Sequence, residues 1–215
     1  MPHVFNIVAN PVGVGIAASL ASPSFGAIGA KVSLSPEVII QLLDHIYPFR
    51  TMAILFDPRE PNSVSEVEQL TAAATLSGKQ AIRLRLTPDA DTREIQAASL
   101  TPQLQSSDVV YVTATSSFVA HAGLLKELLP DDIVSVGATT VFLPEGVTLV
   151  FGTEYWERGE AVADLAAQIL LNDAKPNDLA IADVLASKVT LFVNKVNKAA
   201  AKLHLQKADN PIVYK

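Results

Sequence analysis

Several stretches of this chain carry residue types at spacings that chemistry uses. Gly13-x-Gly15-x-x-Ala18 follows directly on the apolar run VFNIVA at 4–9, and such a spacing can bring a pyrophosphate onto a helix N-terminus. That chemistry also asks for a long first helix and, about 20 residues on, an acidic residue ending the next strand. Pro23 cuts any helix here short, and Glu37 opens a helix instead of ending a strand. A glycine-rich loop between a strand and a short helix is the plainer reading, with nucleotide binding as the alternative.

Thr113, Thr115, Ser116 and Ser117 make a hydroxyl cluster, with His121 just beyond as an imaginable base. No G-x-S-x-G elbow surrounds the serines, so capping of the following helix explains them more simply. The same loop suits a polar ligand, because parallel α/β sheets bind ligands outside the carboxyl ends of their strands. Asp57 ends the run TMAILFD, and Glu154 and Tyr155 follow the run GVTLVFGT, so all three stand at equivalent strand ends. Each serves equally well as a turn residue. Trp156, the single tryptophan, sits where aromatics stack on ligands or pack between layers. His3, His45, His121 and His204 lack the spacing of metal ligands. Cysteine is absent, which removes disulfides, zinc ribbons and thiol nucleophiles. No cofactor is expected.

The elements that must position these residues alternate. Ser35 as N-cap, Pro36 at the first position and Glu37 in the first turn open a helix over 35–48 with Ile39, Leu42, Leu43 and Ile46 on one face. Strands are expected at 4–9, 51–57, 80–86, 108–114, 132–137, 147–153 and 183–194. Helices are expected at 63–78, 91–105, 117–129 and 155–172, with short ones before Pro23 and at 197–205, and a last run NPIVYK. Strands this apolar, separated by helices, predict an α/β fold with a parallel sheet covered on both faces.

Bulk properties narrow the function. The chain is 49% hydrophobic and 18% charged with a mean hydropathy of +0.31, the balance of a compact globular protein. Its apolar runs are far shorter than the roughly 20 residues of a membrane-spanning helix. A net charge of −6 without a basic cluster argues against nucleic acid as a partner. The start, MPHVFNIVANPVG, has neither the basic region nor the cleavage site of a secretion signal. As a full gene product it would be cytoplasmic.

Read in order, the segments resemble the ABC-transporter substrate-binding family whose better-known members take up tryptophan and other aromatic amino acids. NPVGVGIAASLASPSFGAIG at 10–29 is similar to that family's D-P-V-x-x-G-L-V-x-S-L-x-x-P-G-G-N-x-T-G stretch. QLLDHIYPFRTMAILFDPREPNS at 41–63 follows its leucine-rich helix, proline, strand and turn. GTEYWERGEAVADLAAQILLNDAKPNDL at 152–179 follows G-x-D-Y-x-x-L-G-x-x-A and the proline-containing segment after it, and LFVNKVNKAAAKLHL at 191–205 its ending. Departures fall at Asn10 for Asp, Ser24 and Phe25 for Gly-Gly, Gly26 for Asn and Ile28 for Thr.

The resemblance implies a type I periplasmic-binding-protein-like fold. One nearly complete lobe would comprise 34–150 and 194–215. A partial second lobe and the crossing segments, near 28–33, 147–154 and 183–193, would comprise 1–33 and 151–193. It implies no catalysis, a small polar or amino-acid-like solute held between lobes that close about a hinge, an ABC permease as partner and an extracytoplasmic location. On this resemblance the ligand-binding residues are Asn10, Pro11, Val12, Asp57, Thr115, Ser116, Ser117, Phe118, Glu154 and Tyr155. The family's longer amino-terminal segment is not seen before Met1. That predicts uncovered apolar surface and self-association, most simply as a dimer. The alternatives are a nucleotide-binding α/β enzyme using the Gly13/Gly15 loop and a truncated, oligomer-forming remnant that binds nothing.

Overall fold

The computed structural model describes residues 2–8, 10–23, 25–31, 33–207, 209 and 212–214. The chain divides into two compact units, Met1–Leu34 with Gly152–Val189 and Ser35–Phe151 with Thr190–Lys215. The strands are β1 (His3–Val8), β2 (Ala27–Lys31), β3 (Thr51–Phe56), β4 (Gln80–Arg85), β5 (Val109–Val112), β6 (Val134–Gly137), β7 (Leu149–Gly152), β8 (Ala182–Asp183), β9 (Thr190–Asn194) and β10 (Ile212–Tyr214). The α-helices are α1 (Pro36–Ile46), α2 (Pro61–Leu76), α3 (Arg93–Gln105), α4 (Ser116–Ala120), α5 (Leu124–Leu128), α6 (Tyr155–Leu171) and α7 (Val184–Ser187).

The smaller unit holds a parallel sheet in the order β1-β2-β8, with α6 packed on β1 and β2. Ala17, Ile28, Leu165 and Ile181 make its buried core. Gly29 lies opposite Phe5, and a Cβ there would stand 2.1 Å from the Phe5 carbonyl oxygen, so the β1–β2 approach requires glycine. Lys31 Nζ reaches Asp183 Oδ2 at 3.1 Å across β2–β8.

The larger unit holds a seven-stranded sheet in the order β10-β9-β7-β6-β5-β3-β4. The pairs β3–β4, β3–β5, β5–β6, β6–β7 and β9–β10 all run parallel. Every residue of β5 and β6 is buried, as is β3 after Thr51. They are buried end to end because both faces of the sheet are covered, and the polar Ser135 among them is hydrogen-bonded to Thr148. Leu55, Val110, Val112, Phe118, Leu125, Phe142, Val150 and Phe192 belong to one core cluster, each large side chain contributing roughly 2 kcal/mol by leaving water. Ser35 Oγ accepts the Val38 N–H at 3.4 Å and starts α1, whose Ile39, Ile40, Leu43 and Ile46 are buried.

Local hydrogen bonding overturned several expected elements. No helix forms between Gly15 and Pro23. Gly15 takes φ +74, the Pro11 carbonyl accepts from both Ile16 and Ala17, and Ser19 and Ser22 bond to each other, diverting the backbone from a helical ladder. The helix expected at 117–129 is two short helices, broken where His121 Nδ1 lies 3.0 Å from the Ser117 carbonyl. The strand expected at 183–194 is split by α7, because β8 pairs with β2 in one unit while β9 pairs with β10 in the other. The helix expected at 197–205 shortens to a 3-10 turn, Lys198–Lys202, in which Asn197 Oδ1 accepts the Ala199 N–H at 2.8 Å. Ala9 of the first run, the departure at Ser24, Val32 near the first crossing, and Asn210, Pro211 and Lys215 of the last run lie outside the described residues. Among the described residues no helix is long and apolar enough to cross a membrane.

Candidate functional site

In the larger unit the chain leaves β3, passes through α2 to β4 on one side, then returns through α3 to β5 on the other. Strand order therefore reverses between β3 and β5, and open α/β sheets place their ligand crevice outside the carboxyl ends of strands at such a point. Asp57 follows β3, and the hydroxyl loop from Thr113 to Ser117 follows β5.

Asp57 is fully buried. Its Oδ1 accepts the Arg59 backbone N–H at 2.9 Å and Arg59 Nε at 3.1 Å, and its Oδ2 accepts Arg59 Nη2 and the Ser117 hydroxyl, both at 2.8 Å. Burial raises the Asp57 pKa, but these bonds, the Arg59 side chain's foremost, outweigh it and hold the carboxyl below its ordinary range. Arg59 extends to Asp89, which it likewise holds below the usual carboxylate value. Beneath them the Asp57 N–H donates to Ser63 Oγ at 3.1 Å, Ser63 Oγ lies 2.9 Å from Thr113 Oγ1, and Thr113 donates to the Leu55 carbonyl at 3.0 Å.

The loop's own donors are engaged. Glu60 accepts the Ser116 and Ser117 N–H groups at 3.1 and 2.9 Å, which the first turn of α4 would otherwise leave bare. Thr115 Oγ1 accepts the Phe118 N–H at 3.1 Å, and the Phe118 ring is buried in the core. Ser116 is exposed. Behind the loop, the buried Tyr111 hydroxyl donates to Glu66 Oε1 at 2.8 Å. Burial pushes the Glu66 carboxyl up to about 7, against the pull of Tyr111 and the Ala114 N–H.

The other sequence-predicted residues lie in the smaller unit. Asn10 Oδ1 accepts the Gly13 N–H at 2.8 Å, and a Cβ on residue 13 would stand 2.3 Å from Asn10 Nδ2. The glycine thus makes room for an Asx-type turn, and no helix follows it to receive a pyrophosphate. Pro11 is buried and Val12 exposed. Glu154 caps α6 and donates its N–H to Glu157 Oε2 at 3.0 Å. Tyr155 is half exposed, with the Arg158 guanidinium carbon 5.1 Å from its ring centre. Arg158 itself is 7% exposed, and its Nε donates to the buried Thr153 Oγ1 at 2.8 Å.

The structure thus joins Asp57, Thr115, Ser116, Ser117 and Phe118 in one cluster and sets Asn10, Pro11, Val12, Glu154 and Tyr155 in the other unit. Sequence reasoning passed over Arg59, Glu60, Ser63, Glu66 and Arg158. For Arg158 a signal existed: it stands seven residues before the buried Leu165, so a cation falls on the apolar face of α6. Among the described residues no group of three or more His, Asp or Glu side chains could hold a metal ion.

The sequence pattern of the family described as ABC transporter substrate binding protein matches residues 1–214. A comparison with curated proteins returned no match. Similar solved structures include a conserved domain protein from Vibrio cholerae, at 23% identity and a TM-score of 0.79, covering 100% of this chain and 71% of that one. Another, from Streptococcus pneumonia and in complex with L-Trp, has 17% identity and a TM-score of 0.79 over 99% of this chain and 72% of its own. A third, the ligand-free, open structure of a substrate-binding protein with adhesive properties from Clostridium difficile, has 20% identity and a TM-score of 0.78 over 100% and 71%. At these identities the likeness establishes the fold, that of the periplasmic binding proteins.

Proposed function

Because this chain belongs to the ABC transporter substrate-binding protein family, we propose that it binds an α-amino acid or similar small polar solute and delivers it to a membrane permease outside the cytoplasm. The family match over residues 1–214 carries the reading. The L-Trp in the streptococcal relative supports the solute class.

Of this cluster in the larger unit, Ser116 would face the solute, with Asp57, Thr115, Ser117 and Phe118 supporting it from behind. Asp57 and Thr115 hold the loop, and Ser116, exposed at the mouth of the strand-order reversal, offers a hydroxyl. In the smaller unit, Glu154 would meet the solute ammonium and Tyr155 its apolar part, with Asn10, Pro11 and Val12 shaping the adjoining turn. Among the described residues β1 pairs with β2 alone, and Val4 on it is exposed. Such an edge is a pairing surface, which supports self-association as a dimer.

Native mass spectrometry with L-tryptophan and a panel of amino acids reads solute and stoichiometry together. A dimer carrying one amino acid per chain is expected. A chain that takes up none of them, or one that saturates with a nucleotide instead, would remove the proposal.

A further inference from the structure

Arg158 is a buried cation short of an anion. Among the described residues no carboxylate forms an ion pair with it, and the hydrogen bond found for its guanidinium is the one from Nε to Thr153. Glu157, its nearest neighbour in sequence, is already engaged: Oε1 accepts from Lys188 Nζ at 2.6 Å and Oε2 from the Glu154 N–H. Glu154, the N-cap residue of α6, forms no ion pair with it either. Burial lowers the Arg158 pKa, and the nearby Tyr155 and Glu157 only partly offset it. Among the described residues no side-chain nitrogen is both buried and without a partner, so the Arg158 Nη groups reach solvent, yet a guanidinium confined this far without an ion-pair partner is still unfavourable. Nor does the helix demand it, since the pattern followed at 152–162 carries Leu at this position.

With Nε fixed on Thr153 and the guanidinium beside the Tyr155 ring, the two Nη groups remain as a fork of parallel donors, the geometry that fits the two oxygens of a carboxylate. We propose that Arg158 is a specificity-determining residue that receives a carboxylate of the bound solute. Glu154 in the same turn then meets the ammonium, so the solute's two opposite charges find two opposite charges that are not paired with each other. The inference rests on reading the chain as a solute receptor. It adds the solute carboxylate to the groups this unit recognises.

The test follows the Nε–Hε signal of Arg158 by NMR in the full chain labelled with 15N-arginine, the signal being identified by its loss in Arg158→Leu. Sodium acetate and sodium phosphate are titrated in turn at ionic strength held constant with chloride. A saturable shift with acetate, larger than that with phosphate, is expected. In calorimetry, L-tryptophan and L-glutamate are expected to bind Arg158→Leu at least tenfold more weakly than the wild type. Tryptamine, which has no carboxylate, should not distinguish the two proteins. Arg158→Lys, which keeps the charge but not the fork, should lie between and serves if the leucine variant fails to fold.

No saturable acetate shift overturns the inference, and a larger response to phosphate overturns its assignment to carboxylates. Equal amino-acid affinity in wild type and Arg158→Leu defeats it while leaving the proposed function standing. Saturation by acetate in a chain that binds no amino acid does the reverse.

Discussion

The acid–hydroxyl cluster of the larger unit and the first turn of α6 in the smaller one treat buried charge in opposite ways. Asp57 is out of water, yet four donors converge on its carboxylate, and the neighbouring N–H groups of Ser116 and Ser117 are taken by Glu60. Arg158 is nearly as buried and has one side-chain acceptor. A charge surrounded by partners is framework, and its removal leaves those partners stranded. One that lacks them is held at some expense to stability, and its removal relieves the fold.

Opposite signs on mutation would establish this contrast, and equal signs would break it. Asp57→Ala is expected to destabilise by about 3 kcal/mol in urea unfolding, because Ser117 and Arg59 lose a buried charged acceptor. An unchanged midpoint would show that the cluster does not hold the loop. Next in size is the pH response of Glu66, whose folded pKa of about 7 lies above the ordinary 4.5. A raised carboxyl binds its proton more tightly in the folded state, so its contribution is full below about pH 4.5 and is lost as pH rises to 7. Glu66→Gln removes that decline, and relative to wild type it should gain on the order of 3 kcal/mol between pH 4 and pH 8. Parallel stability curves for the two proteins would contradict the shift. Smallest is Arg158→Leu without ligand, expected to stabilise by about 1 kcal/mol by thermal or urea unfolding. Destabilisation like that of Asp57→Ala would make Arg158 framework too.

The α/β class and most helices and strands of the larger unit were legible because apolar periodicity reports burial one residue at a time. Val109–Val112 reads as a buried strand from its own residues, and Ser35-Pro36-Glu37 reads as a helix start from local hydrogen bonding. The breaks were not legible. Whether 183–194 is one strand or two depends on which strand each half pairs with, and whether Ser19 and Ser22 bond each other depends on a turn made upstream at Pro11.

The same division runs through the candidate site. Sequence alone determined that hydroxyls and an acid would stand at strand ends, since a strand's terminus and its capping residues are local properties. Only tertiary structure decided what those groups do. Asp57 and Ser117 are 60 residues apart, and whether a donor is satisfied depends on what the fold brings within 3 Å of it. Glu60 reached the loop and closed its donors, while among the described residues no carboxylate pairs with Arg158.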